Sequence, residues 1–292
     1  MIHLFHQHFQ IVLANTPKLQ QEVFKLRYRV FCQELESEPK SNHLDGMEQD
    51  IYDQHSVHCL LLHRASQQYA GCVRLILAEP FFPASLPFAP LCRYPSSTGH
   101  SSPSCLGELS RLTVAAEFRQ RLSYKTKTER SIEDCNSARV EERAYPLIVP
   151  GLYMAAISIA LELDLDAIYA LMPPQLATYL QKFGMKLGQV EEREEIGCQR
   201  RLFEISREAI LSSINASTYE VFQQLSSDIR KSWSQSQAET NLSQVKFHLH
   251  PEWAEWNAAT EATGSKRSQI CRHNLFQLSK RAHLSLIEQA GT

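Results

Sequence analysis

The chain has 292 residues, 43% of them apolar and 21% charged, which is enough to bury a large core and excludes disordered, collagen-like and disulfide-scaffold classes. Thirty basic against 32 acidic side chains leave a formal charge of −2, so no global field drives the protein onto nucleic acid or an anionic membrane. Eight cysteines lie scattered with no CxxC pair, the pattern of reduced, buried thiols rather than of a zinc or redox site, and no metal is expected.

In chain order, the two-residue spacing of Phe9, Ile11 and Leu13 predicts an opening strand. Thr16 and Pro17 read as N-cap and first position of a helix running to about Glu36, with Leu19, Val23, Leu26 and Val30 on its apolar face and Phe24, Phe31 and Leu35 widening it. A polar segment follows. Val57 to His63 and Gly71 to Leu77 then read as a hairpin turning at 66–68. Pro80 to Pro103, rich in proline and serine, reads as a surface loop, and Leu106 to Val114 as a strand.

After a charged stretch from Phe118 to Tyr145, Pro146 to Leu163 is long and apolar. Its prolines and Glu162 make it a core helix rather than a bilayer span, so no transmembrane segment is expected. Ala167 to Met172 reads as a strand, Pro174 to Phe183 as a helix and Met185 to Ile205 as a last hairpin. The order predicts an α/β (α+β) domain over residues 1–212. Residues 213–292 read as a partly helical or flexible appendage, with Tyr219, Phe222, Leu225 and Ile229 at helical spacing and His248, His250 and His273 as surface histidines. The N-terminus lacks the features of a secretory signal, which makes a cytoplasmic location the expectation.

Four pieces carry the candidate chemistry: LRYRVF at 26–31, EQDIYD at 48–53, GCVRLI at 71–76 and GELSRLTV at 107–114. On a helix Arg27 and Phe31 share a face. Asp50 and Asp53, flanked by Glu48, are matched by Arg74 and Arg111 farther along, and buried arginines demand carboxylate partners, so an Asp/Arg cluster is expected. Strand alternation in GELSRLTV places Glu108, Ser110 and Leu112 on one face and Leu109, Arg111 and Thr113 on the other.

In this order the pieces resemble the acyl-homoserine-lactone (autoinducer) synthases, whose fold is that of the GCN5-related N-acetyltransferases (GNAT): a central mixed sheet with splayed middle strands, flanked by helices. The helix motif of Arg, three residues and Phe fits Arg27 and Phe31, D-x-Y-D fits Asp50 to Asp53, the hairpin arginine fits Arg74, and E-x-S-R fits Glu108, Ser110 and Arg111. The resemblance covers roughly residues 5–205. The sequence is similar as well to the acyltransferases encoded with PEP-CTERM/exosortase systems and to the long-chain N-acyl amino acid synthases. It departs from the signalling branch at Ser37, where that branch has the tryptophan of its S-adenosylmethionine site.

The resemblance implies transfer of a fatty acyl chain from an acyl-phosphopantetheine donor, acyl carrier protein or CoA, to the amine of a small acceptor, expected to be an amino acid, with no permanently bound cofactor. It implies Glu108 as the base, with Asp53 able to share proton handling. Arg27 and Phe31 would orient the acceptor, and Asp50, Arg74, Ser110 and Arg111 would complete the substrate site. Val114 is followed by AAEFRQRLSYKTK, which lacks the glycine of a pyrophosphate-cradling loop but offers Arg119, Arg121, Lys125 and Lys127 as a basic patch for an acidic acyl carrier protein. The alternatives are an S-adenosylmethionine-using homoserine-lactone synthase and a non-catalytic module that binds acyl carrier protein.

Overall fold

A computed structural model describes residues 2–78, 86–89, 106–123, 143–190, 200–213, 220–229 and 231–232. A helix α1 (Ile2–His8) leads into strand β1 (Phe9–Leu13), whose Phe9, Ile11 and Leu13 are buried in alternation. The sequence reading has no counterpart of α1, which has no acidic residue in its first turn. Packing holds it instead: Phe5 presses so closely on Gly151 that a β-carbon there would lie 2.4 Å from the Phe5 ring.

Helix α2 (Pro17–Tyr28) begins where expected, the Thr16 hydroxyl accepting the Leu19 N–H at 3.3 Å. The chain then widens into a π-helical turn (Arg29–Glu34), closed by the Leu35 N–H donating to Val30 O at 2.9 Å. This corrects the expected continuous helix to Glu36. Because a π turn takes up an extra residue, it rotates Leu35 off the apolar stripe, and Leu35 is 53% exposed.

A 3₁₀ turn (Ile51–His55) precedes the hairpin of β2 (Ser56–His63) and β3 (Gln68–Leu77). Then come β4 (Leu106–Val114), α3 (Ala116–Ser123), α4 (Ile148–Glu162), β5 (Ala167–Met172), α5 (Pro174–Gln181), the short β6 (Gly188–Gln189), β7 (Arg201–Ser206) and α6 (Arg207–Ser213). The strands form one sheet in the order β1-β2-β3-β4-β5-β7-β6, antiparallel except where β4 runs parallel to β5. Residues 79–85, most of the Pro/Ser segment and 124–142 lie outside the described residues.

The sheet is covered unequally. Helix α4, with the 3₁₀ turn Tyr145–Leu147 before it, is long and apolar enough to cross a membrane, yet most of it is buried against the face that carries Val73, Leu75, Leu109 and Ile168. Helix α2 covers the opposite face over β2 and β3. Farther along that face lies a smaller apolar cluster of Ile76, Ala78, Leu86, Phe88, Leu106, Ala167, Tyr169 and Leu202. Beyond α6, the helical residues 220–229 set Phe222, Leu225 and Ile229 into the main core, and Ser232 Oγ meets both the N–H (2.9 Å) and the C=O (3.2 Å) of Leu13 on edge strand β1. The packed body therefore reaches past residue 212.

The β4–β5 ladder is short. It pairs Leu106 to Leu109 with Ala167 to Ala170, while β4 continues to Val114 and β5 to Met172, so the two central strands part beyond Leu109.

Candidate active site

One face of the sheet carries a nearly dry ionic cluster built from four separate stretches. Arg27, on the last turn of α2, is wholly buried and donates from Nε to Glu48 and from Nη1 and Nη2 to Asp53 at 2.7 and 3.2 Å. The Glu48 N–H donates to Phe24 O at 3.1 Å, tying the 46–50 loop to the same helix. The D-x-Y-D segment is a capping box: the Tyr52 N–H donates to the Asp50 carboxylate at 2.9 Å and the Asp50 N–H to Asp53 at 2.7 Å.

Arg74, on β3, donates to Asp50 at 2.6 Å, to Asp53 at 2.7 Å and to Ser110 Oγ at 2.9 Å. Arg111 closes the ring, donating to Glu48 at 3.1 Å and Asp50 at 3.2 Å, with Glu38 at 3.6 Å and its guanidinium 5.7 Å from the Phe31 ring centre. Arg27, Arg74 and Arg111 thus balance Glu48, Asp50 and Asp53. Removing Arg27 would cost about 3–5 kcal/mol, because its partners Glu48 and Asp53 are out of water.

This geometry corrects three expectations. Arg27 has no surface to offer an acceptor, since every side of its guanidinium is spent inside the protein; it is a structural hub. Asp53 is no proton carrier: burial raises its proton affinity, but Arg27 and Arg74 more than offset this and hold the carboxyl well below the usual carboxylate range. Arg111 does not face away from Ser110. A β-bulge in β4, where Arg111 and Leu112 together oppose Val73, gives Arg111 a φ of +51° and swings it onto the face of Ser110 and Arg74.

Sequence places Glu48 beside the Asp pair without giving it a role and does not single out His58. Glu48 is 1% exposed and bridges Arg27 to Arg111, although in sequence it is one more acid in a polar loop. His58 pairs with Arg74 across the hairpin, lies 3.6 Å from Asp53 and sits edge-on to Phe24. Burial, reinforced by the two arginines against Asp53, pulls it down to about 3, so it is neutral. Its only sequence signal was its alternation with Leu60 and Ser56 on β2.

Glu108 stands apart from the cluster, on the same face, one residue before the β4–β5 ladder ends. It is 5% exposed and flanked by Ile76 and Tyr169 in the strand register. Burial pushes its carboxyl up to about 7, against the opposing influence of the Phe88 N–H, which donates to Oε2 at 2.8 Å, and of Arg74. A carboxyl poised near neutrality beside a parting of strands is suited to taking a proton.

The expected carrier patch is only partly described. Arg119 is folded back, donating to Val114 O at 2.9 Å and to Glu34 at 2.8 Å, so it serves first to anchor α3 to the π turn. The Arg121 side chain, Lys125, Lys127 and the three C-terminal histidines lie outside the described residues. Among the described residues no group of three or more His, Cys, Asp or Glu side chains has metal-holding geometry.

No curated protein matches the sequence. Among solved structures, the chain is similar to a CoA-dependent acyl-homoserine lactone synthase, BjaI (18% identity, TM-score 0.43, covering 70% of this chain and 87% of that one). It is similar to the AHL synthase LasI (19%, 0.41, 68% and 88%) and to FeeM, an N-acyl amino acid synthase from uncultured soil microbes (10%, 0.39, 72% and 98%). Residues 26–127, which span the ionic cluster, the β2–β3 hairpin and Glu108, match the family model of the acetyltransferase (GNAT) domain. Residues 26–127 thus match the GNAT acetyltransferase domain, within a seven-stranded mixed sheet flanked by helices, and this match supports an N-acyltransferase.

Proposed function

We propose that the protein moves a long acyl chain from a phosphopantetheine thioester, on acyl carrier protein or CoA, to the amine of an amino acid in the cytoplasm. The observation that carries this reading is Glu108, a buried carboxyl with a proton affinity near neutrality at the point where β4 and β5 separate.

An ammonium cannot attack a thioester, so Glu108 takes one proton from the acceptor, directly or through one water. The freed nitrogen lone pair adds to the carbonyl carbon, and the oxyanion forms where the strands part and backbone N–H groups leave the ladder. The adduct's nitrogen gives its second proton to solvent, collapse breaks the C–S bond, and the proton held by Glu108 goes to the departing thiolate, leaving a neutral amide, a free thiol and one proton released overall. The thioester supplies the activation.

With Arg27 enclosed, recognition of the acceptor carboxylate falls to Arg111, the partly exposed arginine of the cluster, with the Phe31 ring against it. Asp50, Asp53 and Arg74 hold that guanidinium's surroundings rigid.

Mass spectrometry of lipids from cells expressing the protein tests the reading. A new N-acyl amino acid, absent with Glu108→Gln, supports it. Methylthioadenosine release with a lactone product would assign the S-adenosylmethionine chemistry instead, and an unchanged lipid profile would leave a module that only binds carrier.

A further inference from the structure

Phe88 comes from a short segment, 86–89, yet it is completely buried and makes two contacts that converge on the same carboxyl. Its ring lies on Tyr169, with centroids 4.3 Å apart and planes 30° from parallel, and its backbone N–H reaches Glu108 Oε2 at 2.8 Å. Tyr169 is the lateral neighbour of Glu108 in the parallel ladder, and its hydroxyl donates to Glu204 Oε2 at 3.1 Å from the opposed position on β7. We propose that Phe88 is a positioning residue for Glu108: its ring, seated on Tyr169, roofs the carboxyl against water and fixes the N–H that aims it.

The strands alone cannot do this. Ile76 and Tyr169 flank the carboxyl within the sheet, but a carboxyl on a sheet face is solvated unless something lies over it; Ala78, Leu86 and Phe88 join this apolar cluster from beyond the strands, Tyr52 packs against it, and Phe88 also hydrogen-bonds the carboxyl. The two contributions of Phe88 oppose each other. The ring keeps water out, favouring the protonated form, while the N–H favours the charged form. Burial as a whole is the larger influence on Glu108, so loss of the ring's share of it should lower the proton affinity. Among the described residues, the charged and titratable groups around the carboxyl are Arg74 from β3, Arg111 from β4, Asp50 from the cap of the 3₁₀ turn, Tyr169 from β5 and Glu204 from β7. All remain when Phe88 is trimmed, so a change reports the roof.

This inference rests on Glu108 as the base, but its test does not need turnover. In the full-length protein, the ¹³C side-chain carboxyl signal of Glu108, identified by its loss in Glu108→Gln, is followed against pH. Phe88→Ala is expected to lower the midpoint by about one pH unit or more. Phe88→Leu, which keeps most of the volume, should fall between it and the unmutated protein, and Ile210→Ala, a core truncation in α6, should leave the midpoint in place. The acidic limb of kcat, measured with an acyl thioester and an amino acid, should move with the midpoint while the acceptor KM stays. A midpoint insensitive to Phe88, or shifted equally by Ile210→Ala, overturns the proposal. Should Phe88→Ala not fold, an unshifted midpoint in Phe88→Leu does so alone. A shifted midpoint in a protein that consumes no thioester keeps Phe88 as the roof and refutes Glu108 as the base.

Discussion

Replacing Arg27 by methionine keeps most of the side-chain volume and deletes the charge, leaving Glu48 and Asp53 facing each other in a dry site that Arg74 and Arg111 compensate only in part. Such a stranded charge costs about 3–5 kcal/mol. At about 2–4 °C per kcal/mol for a body of this size, the melting temperature at neutral pH should fall by about 6–20 °C. The pH dependence carries the sign. In the intact cluster Asp53 is held below its unfolded proton affinity, so its contribution is present above the unfolded carboxylate range and lost as the pH falls through the folded value. The variant lacks much of that contribution, so its deficit should be largest above about pH 5 and close as acid protonates the orphaned carboxylates. Thermal and urea melts across pH 4–8 measure this. A variant that melts within about 2 °C of the parent and shows only a raised acceptor KM would refute the hub and restore Arg27 as a ligand for substrate.

Glu108→Gln should reduce kcat by about 10²–10⁴ and abolish the rise of rate with pH through about 7. Since the folded proton affinity of Glu108 lies above its unfolded value, its stabilising contribution is lost as the pH rises through 7; the Gln variant should therefore melt above the parent at pH 8 and level with it at pH 4. Arg111→Ala should raise the acceptor KM and lower stability together, because it removes a partner of Glu48 and Asp50; an unaltered melt contradicts the ring of ion pairs. Phe222→Ala should cost about 3–5 kcal/mol if the helix 220–229 belongs to the folded body, and a loss under about 1 kcal/mol would detach it.

Much of the framework is legible because it obeys local rules. The Thr16 cap, the β5 strand and the apolar α4 helix follow from spacing and capping chemistry, and D-x-Y-D closes on itself as a capping box. What sequence leaves hidden is phase and enclosure. A π turn after Tyr28 and a bulge at Arg111 each add a residue to a periodic element, and periodicity cannot show where its own count slips. Alternation therefore sent Arg111 to the wrong face and Leu35 to the core. Enclosure is a property of several elements together: Arg27 reads as a helix-surface cation until Glu48, Asp53 and the sheet close over it. The bridging role of Glu48 and the place of Phe88 are hidden for the same reason, since each takes its role from a neighbour far away in sequence.

Release of free thiol from a long-chain acyl thioester, followed with a thiol reagent on the purified protein, tests the central claim most directly. Thiol should appear only when an amino acid is present, in step with its N-acyl derivative, and Glu108→Gln should abolish it without lowering the melting temperature. Amino-acid-dependent release that persists in that variant would contradict the account.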